Sequence, residues 1–207
     1  MTGVRMGELA VSATPTDELV AVGLGSCIGL VIVDRSAGVA GLAHIVLPQS
    51  GDKVDQPGKF ADTGVPELIA QMRRAGAVDR RFETAIVGGA RMFDVSGGLD
   101  IGARNELAVR AALVSAGVPL RRAQTGGNQG RTVRIAVGEG LVTVRVTGQP
   151  PVTLLDGRGG TGGRPASAAH APSVARVAAV SRLGGSVSGA GAIRGPRAAL
   201  ELTGARR

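Results

Sequence analysis

The fold of this chain is decided around residues 23–34, which read GLGSCIGLVIVD. The glycine-rich stretch at 23–26 predicts a turn, because glycine adopts backbone conformations that other residues avoid. The β-branched and aliphatic run at 28–33 predicts a buried strand. Cys27, the only cysteine of the chain, lies at the junction of turn and strand. The turn can therefore present its thiol at the end of a strand.

Similar apolar runs between turn signals predict further strands on both sides of this stretch. The last two runs alternate in period two around residues 138–140, so they form a hairpin with one buried face. The side chains of that face are Val133, Ile135, Val137, Val142, Val144 and Val146. The predicted strands cover residues 19–22, 28–33, 39–47, 82–87, 132–137 and 141–146.

Two helices are predicted between the strands. Apolar residues at helical spacing over 65–72 predict the first, with Thr63 as its N-cap and Gly76 after its end. The second is predicted over about residues 104–116 and stops at Gly117. Its apolar positions are Leu107, Ala111 and Val114. Strands mixed with two main flanking helices predict an α+β fold, layered like α/β proteins, with mixed β-sheet layers.

The charge of the chain is concentrated at one end. Of the net charge of +8, residues 151–207 contribute +6, since eight arginines there oppose Asp156 and Glu201. The sequence predicts a folded domain over residues 1–149. Residues 150–207, rich in Gly, Ala and Arg, are predicted to be a disordered tail, because they have too few large apolar side chains to offset the entropy of ordering.

The composition limits the compartment and the partners. A single cysteine cannot form an intramolecular disulfide, and the first ten residues lack the apolar segment of an export signal, so the expected location is the cytoplasm. No apolar run approaches the roughly 18 residues of a membrane span, so no membrane insertion is expected. Aromatic residues make up only 1%, and basic surface is not interleaved with stacking platforms, so nucleic acid is not an expected partner.

Cys27 has a functional and a structural interpretation. Gly25 and Ser26 leave backbone N–H groups accessible beside the thiol, and paired donors near a nucleophile commonly form an oxyanion hole. The alternative is that Cys27 is a small buried hydrophobic residue and the glycines only turn the chain.

His44 is polar within an apolar strand-like run, on the face opposite Ala43 and Ile45. An imidazole there can accept the thiol proton, and the thiolate can then attack an amide carbonyl. The alternative is a core histidine whose ring nitrogens are satisfied by neighbours. The only other histidine is His170 in the predicted tail, so a Cys/His pair has to use His44.

No cofactor or metal is expected. One cysteine and one histidine in the predicted domain cannot supply a zinc or iron–sulfur ligand set, although a carboxylate site stays open. The glycine-rich segments match neither the phosphate loop nor the dinucleotide fingerprint.

Six segments, taken in order, resemble the CheD family of chemoreceptor glutamine deamidases. They are GLGSCIGLVIVD (23–34), GLAHIVLP (41–48), KFAD (59–62), GGARMF (88–93), IGARN (101–105) and GGNQGRTV (126–133). The resemblance covers roughly residues 5–147. It implies a layered fold similar to the deamidase domain of cytotoxic necrotising factor toxins, with Cys27 as nucleophile and His44 as base. The family's third catalytic position, a Thr six residues before the cysteine, is Ala21 here. The imidazole therefore needs another orienting acceptor, which can be a backbone carbonyl, Asp34 or a residue that the sequence does not identify.

The resemblance implies that the chain hydrolyses glutamine side chains of methyl-accepting chemotaxis receptors to glutamate and releases ammonia. It also allows hydrolysis of glutamate methyl esters and contact with a CheC-type phosphatase. Because Ala21 departs from the family pattern, the alternative is a catalytically weakened adaptor that binds receptors or a CheC-type phosphatase. A third interpretation is an unrelated cysteine amidase that acts on small amides.

Overall fold

The computed structural model describes residues 1–51, 55–92 and 100–157. Its two α-helices are α1 (Ala61–Arg74) and α2 (Ile101–Ser115). Its strands are β1 (Thr2–Gly3), β2 (Leu9–Ser12), β3 (Glu18–Leu24), β4 (Ile28–Asp34), β5 (Val39–Ile45), β6 (Glu83–Gly88), β7 (Arg122–Thr125), β8 (Arg131–Ala136), β9 (Leu141–Val146) and β10 (Val152–Leu155).

The strands form two five-stranded sheets. The first sheet has the order β1-β3-β8-β9-β10, and the second has the order β2-β5-β4-β6-β7. The pairs β1/β3 and β6/β7 are parallel, and the other neighbours are antiparallel. Strand β4 lies at the centre of the second sheet and is buried at all seven residues. Its continuous apolar run reflects this burial on both faces.

Two apolar layers hold the sheets and helices together. The layer between the sheets includes Leu19, Leu24, Val31, Leu42, Val133 and Ile135. The other layer lies between the second sheet and the helices and includes Leu30, Ile32, Ile45, Leu68, Met72 and Leu113. Mixed sheet layers with two flanking helices confirm the predicted α+β class.

The hairpin is confirmed as β8 and β9, with Ala136 paired to Leu141. Five of its six predicted core side chains are buried, and Val146 is half-buried. The first helix is also confirmed, but its N-cap is Phe60 rather than Thr63. The Thr63 hydroxyl instead donates to the carbonyl of Pro57, 2.7 Å away.

The predicted buried face of α2 is wrong. Leu107 and Val114 are 70% and 79% exposed, and Ala111 is also exposed. The helix points a different side inward, formed by Gly102, Asn105, Val109 and Leu113. Two of these four residues, a glycine and an asparagine, are not hydrophobic, so a search for hydrophobic residues at helical spacing does not find this side.

The first sheet continues past residue 149. Strand β10 pairs with β9, and Leu155 is buried. All described residues belong to one compact unit. The domain boundary stays a prediction, because residues 158–207 of the predicted tail lie outside the described residues. In the described ranges, neither helix has the length and apolarity needed to cross a membrane.

Candidate active site

Cys27 lies where the chain passes from the first sheet to the second. Strand β3 ends at Leu24, and β4 begins at Ile28. The turn between them is closed by the N–H of Gly25, which donates to the carbonyl of Gly23 across 2.8 Å. Cys27 is 8% exposed, with its side chain in the layer between the sheets. The thiol is therefore at the end of that layer, close to the surface.

His44 faces the same layer from the neighbouring strand. It pairs with Gly29 in the antiparallel β4/β5 register, and alternate residues of β5 contribute to the inter-sheet core. Cys27 precedes Gly29 by two residues, so Cys27 and His44 are diagonal cross-strand neighbours. Gly29 itself adds no side chain, and a Cβ there would lie 2.8 Å from Leu24. The structure thus brings the two predicted residues to one face of one strand pair.

The His44 ring is held by a backbone carbonyl. Its Nδ1 lies 3.3 Å from the carbonyl oxygen of Val4. A carbonyl only accepts hydrogen bonds, so Nδ1 carries the proton and Nε2 of the neutral ring carries the lone pair. Nε2 is buried without a hydrogen-bond partner among the described residues. This tautomer leaves Nε2 as the basic nitrogen.

The Val4 carbonyl is an acceptor that can orient the His44 ring in a chain whose Ala21 has no hydroxyl. The N–H of Val4 donates to the carbonyl of Val20 across 2.7 Å, which holds the N-terminal segment beside β3. Ala21 follows in β3 with its methyl group fully buried in the inter-sheet core. Asp34, which had also been considered as the acceptor, lies at the opposite end of β4 and is paired with Arg81.

Burial favours the neutral forms of both side chains. It raises the pKa of the Cys27 thiol above its ordinary value, and the backbone N–H of Cys27 offsets part of this rise. It also lowers the pKa of His44, against the hydrogen bond to Val4 and the charge of Glu8. Both shifts favour a thiol and a neutral imidazole over a thiolate and an imidazolium.

Two consecutive glycines support the backbone of Cys27 from β6. Gly88 has a φ of 116°, and a Cβ there would collide with the Cys27 carbonyl oxygen. The next residue, Gly89, donates its N–H to that same carbonyl across 2.9 Å. Ala90 donates to the carbonyl of Gly25 across 2.7 Å. The segment at 88–90 therefore packs directly against the turn that carries the cysteine, and this close approach requires glycine at position 88.

The other sequence segments also converge on this end of the sheets. The carbonyl of Lys59 accepts the N–H groups of Val46 and Leu47, just after His44. Gly126 donates to the carbonyl of Gly88, and the side chain of Asn105 reaches the carbonyls of Ser26 and Val46. Segments far apart in the sequence therefore contact the strand ends that bear Cys27 and His44.

Two residues at the candidate site were not identified from the sequence. A backbone carbonyl was one of the acceptors considered for His44, but no side-chain pattern shows that it belongs to Val4. Asn105 belongs to the segment at 101–105 that resembles the family, but the sequence does not show that its side chain is buried and hydrogen-bonded beside Cys27 and His44. A cavity of about 690 Å³ opens beside Gly89 and Met92, but its lining includes neither Cys27 nor His44. Within the described ranges, no group of three or more His, Cys, Asp or Glu side chains is placed to hold a metal ion.

Comparisons with known proteins identify close relatives. Residues 46–146 match the family model described as CheD chemotactic sensory transduction. The chain is 43% identical over 145 residues to the chemoreceptor glutamine deamidase CheD of Thermotoga maritima, covering 70% of this chain and 91% of that protein. It is 43% identical over 141 residues to a probable chemoreceptor glutamine deamidase CheD of Clostridium novyi, covering 66% and 87%.

A solved structure gives a more distant match. The Bacillus licheniformis hypothetical protein YfiH aligns with 58% of this chain and 50% of its own, at a TM-score of 0.39 and 13% identity. That likeness is too remote to bear on the site.

Proposed function

The chain belongs to the CheD family, and on that premise we propose that it is a glutamine deamidase that acts on chemoreceptors in the cytoplasm, with Cys27 as nucleophile and His44 as base. Because the chain belongs to this family, we set aside the interpretation that it is an unrelated cysteine amidase acting on small amides. The observation that carries the proposal is the His44 ring, whose Nδ1 is engaged by Val4 while Nε2 has no partner in the described part of the chain.

The first half of the reaction forms a thioester. Nε2 of His44 takes the Cys27 proton as the sulfur attacks the carboxamide carbon of a receptor glutamine. The carbonyl carbon becomes tetrahedral and its oxygen becomes an oxyanion. The imidazolium then protonates the nitrogen, and the C=O bond re-forms as the C–N bond breaks and ammonia leaves. Catalytic hydrogen bonds commonly tighten only when substrate binds, and we expect the sulfur to reach Nε2 in that complex.

The turn before β4 supplies the donors for the oxyanion. The N–H of Gly25 donates to the carbonyl of Gly23, so it stabilises the turn and is not available to an oxyanion. Within the described residues, the N–H groups of Ser26 and Cys27 donate to no backbone carbonyl. These two donors are adjacent to the nucleophile, as an oxyanion hole requires.

The second half of the reaction releases glutamate. His44 accepts a proton from water, whose oxygen attacks the thioester carbon, and the C–S bond breaks as the thiol recovers its proton. The receptor gains a carboxylate, which is a site for methylation. The same steps hydrolyse a glutamate methyl ester, with methanol as the leaving group in place of ammonia.

The experiment measures ammonia release and the glutamine-to-glutamate mass change in receptor cytoplasmic fragments. Cys27→Ala should abolish both, while Ser26→Ala, which keeps the backbone donor, should retain them. Undiminished release by Cys27→Ala would refute the proposed nucleophile.

A second candidate function is suggested by Ala21. If its methyl group leaves the histidine poorly oriented, the chain works as an adaptor that binds receptors or a CheC-type phosphatase without turnover. A wild-type chain that binds receptor fragments but releases no ammonia, and whose Cys27 is no more reactive than in His44→Ala, would favour the adaptor.

A further inference from the structure

Asn105 makes contacts that are unusual for a fully buried helix residue. Its side-chain Nδ2 donates to the carbonyl of Ser26 across 3.0 Å and to the carbonyl of Val46 across 2.8 Å. Ser26 immediately precedes the nucleophile, and Val46 follows His44 by two residues. A single amide group from α2 therefore bridges the ends of β4 and β5.

The chemistry of the bridge selects asparagine. Both acceptors are carbonyl oxygens, so the group between them has to supply two N–H donors, and the amide orientation is fixed by that demand. An aspartate would place a carboxylate against two carbonyls. A leucine has a similar volume but no donor.

The polar side chain at this position also carries a cost to folding. The Oδ1 of Asn105 is buried and has no hydrogen-bond partner among the described residues, which is a cost to folding. The neighbouring inward positions of α2, Val109 and Leu113, are apolar and pack in the helix-facing core. Polar groups that are retained in a core against local preference commonly serve a site.

We propose that Asn105 is a positioning residue that sets the spacing between Cys27 and His44 by tying their strand ends together from α2. This inference rests on the proposed function, because it deepens the account of the same pair. Asn105 is fully buried and its side-chain hydrogen bonds within the described residues go to backbone carbonyls, so it should affect the chemical step rather than substrate binding.

The test compares Asn105→Ala and Asn105→Leu with wild type in the full chain. Each variant should lose roughly 10²-fold in kcat with KM nearly unchanged, as expected when reacting groups are displaced by about 1 Å. The leucine variant refills the volume, so it separates loss of the bridge from a cavity. Retained kcat in Asn105→Leu would overturn the proposal.

Val109→Ala is the matched control. It removes buried atoms from the same side of α2, one turn further along, without touching the bridge. At matched thermal stability it should keep its kcat within about threefold of wild type, well inside the 10²-fold effect expected of a misplaced group. An equal loss in Val109→Ala and Asn105→Ala would show that Asn105 only packs.

Alkylation of Cys27 by iodoacetamide across pH gives a readout that is independent of turnover. Losing the bridge should weaken the influence of His44 on the thiol, so the pH profile of Asn105→Leu should shift toward that of His44→Ala. If wild type does not deamidate but this shift occurs, the proposed function fails and the positioning role stands. If wild type deamidates and the Asn105→Leu profile matches wild type, the positioning role fails alone.

Discussion

The carbonyl of Val4 and the ring of His44 are joined by a hydrogen bond of 3.3 Å between residues forty positions apart. Val4 is held beside β3 in the first sheet, and His44 lies in β5 of the second. Two backbone hydrogen bonds of 2.9 Å reinforce this link. The N–H of Gly7 donates to the carbonyl of His44, and the N–H of His44 donates to the backbone carbonyl of Glu8. The N-terminal segment thus fixes the ring and its tautomer.

The first prediction concerns pH. Burial lowers the pKa of His44, so the base stays neutral to lower pH than an exposed histidine, and kcat/KM should rise to its plateau as pH increases through that lowered pKa. Burial raises the pKa of Cys27, so the thiol stays protonated to higher pH than an exposed cysteine. Activity measured from pH 4 to 10 should therefore be flat between the two pKa values. Thiolate absorbance at neutral pH would instead indicate a preformed ion pair.

The second prediction concerns Ala21→Thr, which restores the hydroxyl of the family. Nδ1 of His44 already has an acceptor in Val4, so a new hydroxyl adds at most one ordinary hydrogen bond of about 1 kcal/mol. The kcat for receptor fragments should change by less than about tenfold. A rise of several orders of magnitude would show that the backbone carbonyl does not replace the threonine.

Much of the fold follows from local patterns in the sequence. The helical spacing of Val65, Leu68, Ile69 and Met72 buries the face that it predicts, and the alternation in β8 and β9 does so at every predicted position except the half-buried Val146. In these elements the hydrophobic pattern and the core coincide. The short strands β1, β2, β7 and β10 were not predicted, because two to four residues carry too little periodicity to distinguish a strand from a loop.

The site was only partly predictable for a physical reason. Cys27 and His44 stand out as reactive side chains, so chemistry and family resemblance select them as candidates. Val4 contributes a main-chain oxygen that any residue would carry. Asn105 contributes an amide whose hydrogen bonds form only when the fold brings the carbonyls of Ser26 and Val46 next to it. Such contacts arise from tertiary structure and leave no local signature.

The third prediction contrasts two glycines beside Cys27. Gly88→Ala combines a positive φ with a collision against the Cys27 carbonyl, so the strand end has to move. We expect at least a roughly 10²-fold loss of kcat, together with a lower thermal midpoint.

Gly25→Ala is the matched control. Its Cβ would lie 2.9 Å from the side chain of Met92, which is flexible and 44% exposed. It should therefore cost much less in both measurements. Equal effects of the two substitutions would contradict the steric account of Gly88.

The last prediction concerns the end of the domain. A chain ending at residue 157 keeps β10, whereas one ending at residue 150 loses it. Leu155 is buried, and the Arg35 guanidinium donates to the carbonyl of Asp156. We expect the 1–150 chain to be less stable than the 1–157 chain by about 2–4 kcal/mol in urea unfolding, from one lost buried leucine and unpaired strand bonds.

Activity should separate the domain edge from the site. Strand β10 pairs at the edge of the first sheet farthest from β1, whereas Val4 holds His44 beside β3. The kcat per folded molecule should therefore be equal in the two chains. Leu155→Ala in the 1–157 chain should reproduce most of the stability loss without a change in kcat. If 1–150 unfolds at the same urea concentration as 1–157, β10 contributes nothing and the domain ends at residue 149, as the composition alone had predicted.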